Sequence, residues 1–246
     1  MKVPELVQNT ASTILSRFGY ELTRRKPQVA DVTMEGAIGR ARDRGISAAT
    51  VLDVGAAQGK WTRTALRHFP DARYLLFDPL EERRPDLETL HLDHPNVDFV
   101  IAAAGAAPGT VSLTVRDNLD GSTVVEQPKG NIRPVPVTTI DAEIAARSLP
   151  APYFLKLDTH GYELPILEGA AQTLRETSLL ILETYNFRLH AGALLFHEMV
   201  AHLDTLGFRC LEIVDPLLRP KDQVLWQLDI VFVPKDSPLF ARGSFR

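Results

Sequence analysis

The sequence predicts an α/β protein built on a mostly parallel sheet with helices on both faces. Three observations predict it. From residue 50 onward, short apolar runs alternate with stretches of helical spacing. The first run ends in a loop of small residues, Gly55-Ala56-Ala57-Gln58-Gly59, that leads straight into a helix. The last two runs follow one another without a convincing crossover helix, which favours an antiparallel final pair.

Composition is in keeping with such a core. Of 246 residues, 45% are hydrophobic and 24% charged, values of an ordinary globular chain rather than a disordered or fibrous one. A net charge of -4 argues against nucleic acid as partner, since phosphate binding calls for a basic excess. A single cysteine, Cys210, excludes a disulfide framework and a cysteine metal cluster, and fits the reducing cytoplasm. No apolar run approaches the roughly 18 residues of a membrane span.

The elements follow in order. Leu6, Val7, Ala11, Ile14, Leu15 and Phe18 fall at helical spacing, with Pro4 suited to a first turn and Gly19 to a stop. This segment lacks the continuous apolar stretch of a signal peptide. Arg24-Arg25-Lys26 reads as a solvated linker, with a membrane-surface anchor as the alternative. A second helix is expected from Thr33 as N-cap to Arg44, ended by Gly45. Residues 1–47 are thus expected to be a helical extension, and 48–246 the main domain. Within the latter, strands are expected at Thr50–Val54, Tyr74–Phe77, Phe99–Ala103, Tyr153–Leu157, Leu179–Leu182, Phe208–Val214 and Leu228–Val233. Helices are expected at Trp61–His68, Tyr162–Arg175 and Ala193–Leu206. Thr110–Val115 and Val135–Thr139, with a turn around Asp120-Gly121, read as an inserted hairpin.

Chemistry concentrates at the strand ends. In Asp53-Val54-Gly55-Ala56-Ala57-Gln58-Gly59, small residues let a ligand approach the backbone, and the following helix offers free N–H groups. A dinucleotide fingerprint would place glycine at position 57, where alanine stands, which counts against a pyrophosphate ligand. Asp78 directly follows the second strand, where a carboxylate can accept from both hydroxyls of a ribose. Together, loop and carboxylate point to a nucleoside-containing ligand.

Val51–Gly59 resembles motif I of class I S-adenosylmethionine-dependent methyltransferases. More narrowly, Leu155-Lys156-Leu157-Asp158-Thr159-His160-Gly161-Tyr162-Glu163-Leu164 with Leu167-Glu168-Gly169-Ala170 resembles the signature of the FkbM methyltransferase family. Val135–Asp141 and Leu228–Val233 are similar to further blocks of that family, in the same order. The resemblance covers about residues 45 to 235. It implies a Rossmann-like seven-stranded sheet with an antiparallel last strand, S-adenosylmethionine as cofactor, and methyl transfer to a hydroxyl of a polyketide, glycan or related natural product. Where relatives often carry Gln or Glu, this chain has His160. An NAD-dependent oxidoreductase, or a methyltransferase-like module without catalysis, are the alternatives.

Methyl transfer needs nucleophile, methyl and sulfur held in line, with water excluded, and a neutral hydroxyl profits from a base. The switch point of such a sheet lies between the first and fourth main strands. Cofactor contacts are expected from Asp53, Gly55, Ala56, Gln58, Gly59, Asp78, Ala103 and Asp158. His160 is expected as the base, positioned by Asp158. Lys156 reads as the charge partner of Asp158 or a nearby carboxylate, and Glu163 as a favourable early-helix acid. Glu183, Tyr185 and Asn186, placed after the fifth strand, and Ser122 in the hairpin are expected to contact a hydroxylated small-molecule acceptor. Asn118 and Thr123 beside Ser122 could cover the cofactor or contact substrate, or form a solvated turn. Asp158 and Glu183 could share a divalent ion, which is not expected to be needed, because a third ligand is not evident. His190 and His197 read as surface residues. Self-association is left open.

Overall fold

The computed structural model describes residues 31–117, 119–124, 131–241 and 243. The expected helix within the first 22 residues, the Arg24–Lys26 segment and Asn118 lie outside these. Val32–Arg246 make up one of the chain's two units, and the described helices and strands all lie in it.

The expected second helix is present as α1 (Met34–Asp43). Thr33 caps it, its hydroxyl accepting from Gly36 N, and Ala37, Ile38 and Ala41 form its buried face. The main sheet then uses β1 (Thr50–Val54), β2 (Arg73–Phe77), β3 (Val97–Val100), β8 (Tyr153–Leu157), β9 (Thr177–Tyr185), β10 (Phe208–Leu218) and β11 (Leu225–Pro234). Their spatial order is β10-β11-β9-β8-β1-β2-β3. The five strands from β9 to β3 run parallel, while β11 is antiparallel to both β9 and β10. The last strand in sequence is thus the reversed one, slotted between its two predecessors. β1 has a parallel neighbour on each side, β2 and β8, and this is the switch point.

All five residues of β1 and of β8 are buried, because helices cover both faces. One face carries Val51, Tyr74, Phe154 and Ile181 against α1 and α2 (Lys60–His68). It also packs on α3 (Arg84–Asp93), a helix not expected from the sequence, through Leu87 and Leu90. The other face carries Leu52, Leu75, Leu155 and Leu180 against α5 (Glu163–Glu168) and α6 (Phe196–Thr205). The unexpected α4 (Ile140–Arg147) contributes Ile140 there. Each such side chain stabilises the fold by about 1.5–3 kcal/mol.

Two expected helices are shorter. Tyr162–Arg175 is reduced to Glu163–Glu168, with Gly169 as C-cap, where a Cβ would sit 1.9 Å from the Gly105 carbonyl oxygen; the chain resumes as a 3-10 turn at Thr173–Glu176. Ala193–Leu206 starts only at Phe196, since the residues before it form a turn around His190. The expected hairpin is part of a separate four-stranded sheet. There β5 (Gly109–Thr114) pairs antiparallel with β7 (Ile132–Thr138) as expected. The Asp120-Gly121 turn instead leads β5 into β6 (Thr123–Val124), and β4 (Ala103–Ala104) joins β7 from the other side. The order of this sheet is β4-β7-β5-β6. The expected strand Phe99–Ala103 is therefore divided between two sheets. No described helix is long and apolar enough to cross a membrane.

Candidate active site

At the carboxyl ends of β1, β2, β8 and β9, a cavity of about 300 Å³ opens beneath the tip of the β5–β6 hairpin. Its walls come from the loop after β1, Asp78, the Asp158–His160 turn, Glu183 and hairpin residues Leu119–Val124.

The loop after β1 fits only glycine at its first position. Gly55 has φ +82, and a Cβ there would lie 2.0 Å from the Asp158 carbonyl oxygen. The loop is tied to β2, Gly55 N and Ala56 N both donating to Phe77 O. Gly59 (φ +70) is the N-cap of α2, which has no side-chain cap. Asp78 accepts from Ala57 N at 2.9 Å through one oxygen and from Leu80 N at 3.0 Å through the other. Each oxygen keeps a lone pair. Burial pushes this carboxyl up, against the pull of the two amides.

The face of the sheet that packs on α1 and α2 turns from apolar to charged toward these strand ends. Val51 is followed two residues on by Asp53, Phe154 by Lys156 and then Asp158, and Ile181 by Glu183; Asp229 stands opposite Glu183. Lys156, only 3% exposed, places Nζ 2.8 Å from Asp158 Oδ2 and 3.6 Å from Asp53 Oδ1. Burial opposes its charge, but the surrounding acids hold its pKa above the ordinary value. In turn burial works against ionisation of Asp158, and Lys156 overrides it, keeping that carboxyl low. For Asp229 the Lys156 charge is outweighed: burial, then Glu183 and Asp158, push it up to about 8.

His160 sits at φ +54, followed by Gly161 at φ +101. Its Nδ1 lies 2.9 Å from Glu183 Oε2, 3.0 Å from the Tyr185 hydroxyl and 3.7 Å from Asp158 Oδ1. The Tyr185 hydroxyl also donates to Glu183 Oε2 at 2.7 Å, and Gln227 Nε2 donates to Glu183 Oε1. Burial lowers the imidazole pKa, but the Glu183 hydrogen bond and charge more than offset it, so the net shift is upward. Burial and the Asp158 charge raise Glu183. His160 is thus oriented chiefly by Glu183 rather than by Asp158 as expected. One ligand atom each of Asp158, His160 and Glu183 lie within 4.8 Å of one another, so His160 supplies the third donor the sequence did not reveal.

The expected contact residues divide. Gly55, Asp78, Ala103, Ser122, Asp158, His160 and Glu183 line the cavity. Asp53, Ala56, Gln58, Gly59, Tyr185 and Asn186 are not among its lining residues. Asp53 is fully buried in mid-strand, where its Oδ2 accepts from Thr62 at 2.6 Å. Its Oδ1 has no hydrogen-bond partner among the described residues. Glu183 and Tyr185 belong to β9 itself, which runs to Tyr185 because β11 pairs with it there. Asn186 ties β9 to β11 through Trp226 O and Leu225 O. The Ser122 hydroxyl is engaged within its own turn, with Leu119 O and Arg116 N.

Thr123, a hairpin-loop candidate from the sequence, lines the cavity, and its hydroxyl donates to His160 O at 3.0 Å. Sequence reasoning missed Arg83, a buried guanidinium 2.6 Å from Asp120. It also missed Gln227 and Asp229; the alternation Gln227-Leu228-Asp229 was the available signal. His197 is exposed as expected, but His190 is not a bystander: its Nε2 lies 2.9 Å from Gly161 O.

A family model described as the methyltransferase FkbM domain matches residues 53–210. No curated protein matches the chain. Among solved structures, it is similar to a methyltransferase FkbM from Methylobacillus flagellatus (15% identity, TM-score 0.46), over 74% of this chain and 43% of that one. The chain therefore spans less than half of that protein's length. A second is the 1,6-didemethyltoxoflavin-N1-methyltransferase of Burkholderia thailandensis (14% identity, TM-score 0.46; 96% and 92% covered). A third is the O-methyltransferase TomG of Streptomyces achromogenes (14% identity, TM-score 0.47; 95% and 91% covered).

Proposed function

The chain belongs to the FkbM methyltransferase family, and from that premise we propose that it transfers a methyl group from S-adenosylmethionine to a hydroxyl of a natural-product acceptor, a polyketide, glycan or related metabolite. We assign the activity to residues 48–246, with the helical segment before them as an extension, and a cytoplasmic setting in keeping with the lone Cys210.

The donor set suits the cofactor. Gly55 gives a cradle that a Cβ would fill, and Asp78 offers two lone pairs to ribose hydroxyls. Ala103, a small residue on the cavity wall, leaves room for a flat ring. When bound, S-adenosylmethionine supplies an electrophilic sulfonium methyl. Beside it, Asp158 remains ionised next to Lys156 and presents negative charge to a cationic ligand.

One observation carries the acceptor half of the reading. His160 and Glu183 meet at 2.9 Å on the wall of the cavity that also holds Asp78. With Nδ1 turned to Glu183 and Tyr185, Nε2 is the nitrogen left to take the hydroxyl proton. Glu183 fixes the tautomer and stabilises the imidazolium formed. A metal is not part of this reading, which needs only the imidazole and its carboxylate partner.

Calorimetry with S-adenosylmethionine and with NAD tests the cofactor, and labelled methyl transfer to the producer's own metabolites tests the acceptor. Binding of the first alone, with label in an alkali-stable ether product, is expected. Binding of NAD alone would overturn the reading.

A further inference from the structure

We propose that His190, in the loop between β9 and α6, is the positioning residue that sets the orientation of His160 through the carbonyl of the adjacent Gly161. The significance of this linkage rests on the reading of His160 as the base; the geometry stands by itself.

His160 and Gly161 are consecutive residues in the left-handed region, φ +54 and φ +101, and His160 has no glycine's freedom there. Such a turn persists only where its surroundings over-determine it. Three side chains do so. Thr123 Oγ1 donates to His160 O at 3.0 Å. Glu163 Oε1 accepts from Gly161 N at 2.9 Å and from Thr159 Oγ1 at 3.1 Å. His190 Nε2 meets Gly161 O at 2.9 Å. The first two lie on the hairpin and on α5. His190 alone comes from the loop that leads away from Glu183 and Tyr185.

The tautomer of His190 follows from its other nitrogen. Gly192 N–H points at Nδ1 from 3.2 Å, so Nδ1 accepts and the proton resides on Nε2, which donates to the Gly161 carbonyl. The loop is braced for this task. Ala193 N donates to His190 O, and Arg188 Nη1 donates to Ala193 O at 2.8 Å. Arg188 is itself paired with Glu198 of α6. Contact is close on both sides: a Cβ at Gly161 would stand 3.0 Å from His190 Nε2 and 3.2 Å from Ala193 Cβ. Freed from His190, the Gly161 carbonyl can rotate and the turn can relax. His160 Nδ1 then leaves Glu183, Tyr185 and Asp158, the groups that face it.

The experiment follows the imidazole of His160 by NMR against pH in the intact chain, its signals identified by their loss in His160→Ala. In the wild type it is expected to titrate above the ordinary value of about 6.5. His190→Ala should bring the midpoint down toward that value. His190→Gln, whose amide nitrogen can donate to the same carbonyl, should restore it. His190→Phe keeps ring volume without a donor, and serves if the alanine variant does not fold. An unchanged His160 titration in the alanine or phenylalanine variant overturns the proposal, as does failure of glutamine to restore it. Calorimetry on the same samples separates the two readings. Absence of S-adenosylmethionine binding in the wild type would sink the methyltransferase reading and leave the titration to decide on His190. With binding present, turnover should fall in His190→Ala while cofactor affinity stays.

Discussion

Glu183, 6% exposed, gives His160 its upward shift, and the pair makes a directional statement about pH. A base must be unprotonated to act. Its pKa is raised, so turnover should decline as pH falls through a value above about 6.5. Glu183→Gln removes the charge and keeps the volume, so the acid limb should move to lower pH while the maximal rate drops. His160→Ala should lower turnover by roughly 10²–10⁴ and abolish the limb. Rate–pH profiles of the three proteins check this, and a limb unmoved by Glu183→Gln would remove Glu183 from the role. At this scale the identities of His160, Asp158 and Glu183 were legible, but their pairing was not. Proximity along the chain suggested Asp158 as orienter; the 2.9 Å contact arises from the β8–β9 pairing, a long-range register that residue spacing does not encode. Asp53 was misjudged for a related reason. It stands in mid-strand on the face that packs on α1 and α2, so its side chain meets Thr62 and Lys156 below the cavity.

The loop joining β1 to α2 forms the expected strand–loop–helix turn, of whose expected contacts only Gly55 lines the cavity, and two glycines with similar backbones dissect its role. Gly45 (φ +81) ends α1 with nothing within 4 Å of an added Cβ, whereas at Gly55 (φ +82) the Cβ would meet Asp158 O at 2.0 Å. Gly45→Ala should therefore lose only the left-handed strain, about 1–2 kcal/mol. Gly55→Ala adds a backbone clash, should lose clearly more in urea unfolding, and should weaken S-adenosylmethionine. Equal losses would mean that the loop accommodates the methyl and is no cradle. Periodicity served elements with one amphipathic face, such as α1 with its Thr33 cap. It failed where tertiary contact cut across a pattern. Gly169, packed against the Gly105 backbone, is the C-cap of α5, and the His190 turn precedes α6. It also missed α3 and α4, short helices whose buried faces rest on a few residues, Leu87 and Leu90 in one and Ile140 in the other.

Strand order belongs to the whole molecule, and the alternation of runs did not contain it. The seven-stranded arrangement came through the family resemblance, and the structure adds that β11 lies inside the sheet rather than at its edge. This order brings β1, β2, β8 and β9 to one cavity from positions as distant as Gly55 and Glu183. A ligand there bridges several strands at once, so its binding should register as global stability. At about 100 times its dissociation constant, a ligand specific for the folded state adds roughly 2.7 kcal/mol. For a chain of this size that raises the melting temperature by roughly 5–11 °C. S-adenosylmethionine should produce such a rise, and NAD none. Asp78→Ala leaves Ala57 N, Leu80 N and the ribose hydroxyls without their acceptor, weakening the ligand by about 1–3 kcal/mol. At the same ligand concentration the variant should lose roughly a third to nine-tenths of the rise, although its own melting temperature is also lower. The informative quantity is therefore the ligand-induced difference within each protein. A full rise in Asp78→Ala would place the ribose elsewhere in the cavity, and no rise in the wild type would detach the cavity from the cofactor altogether.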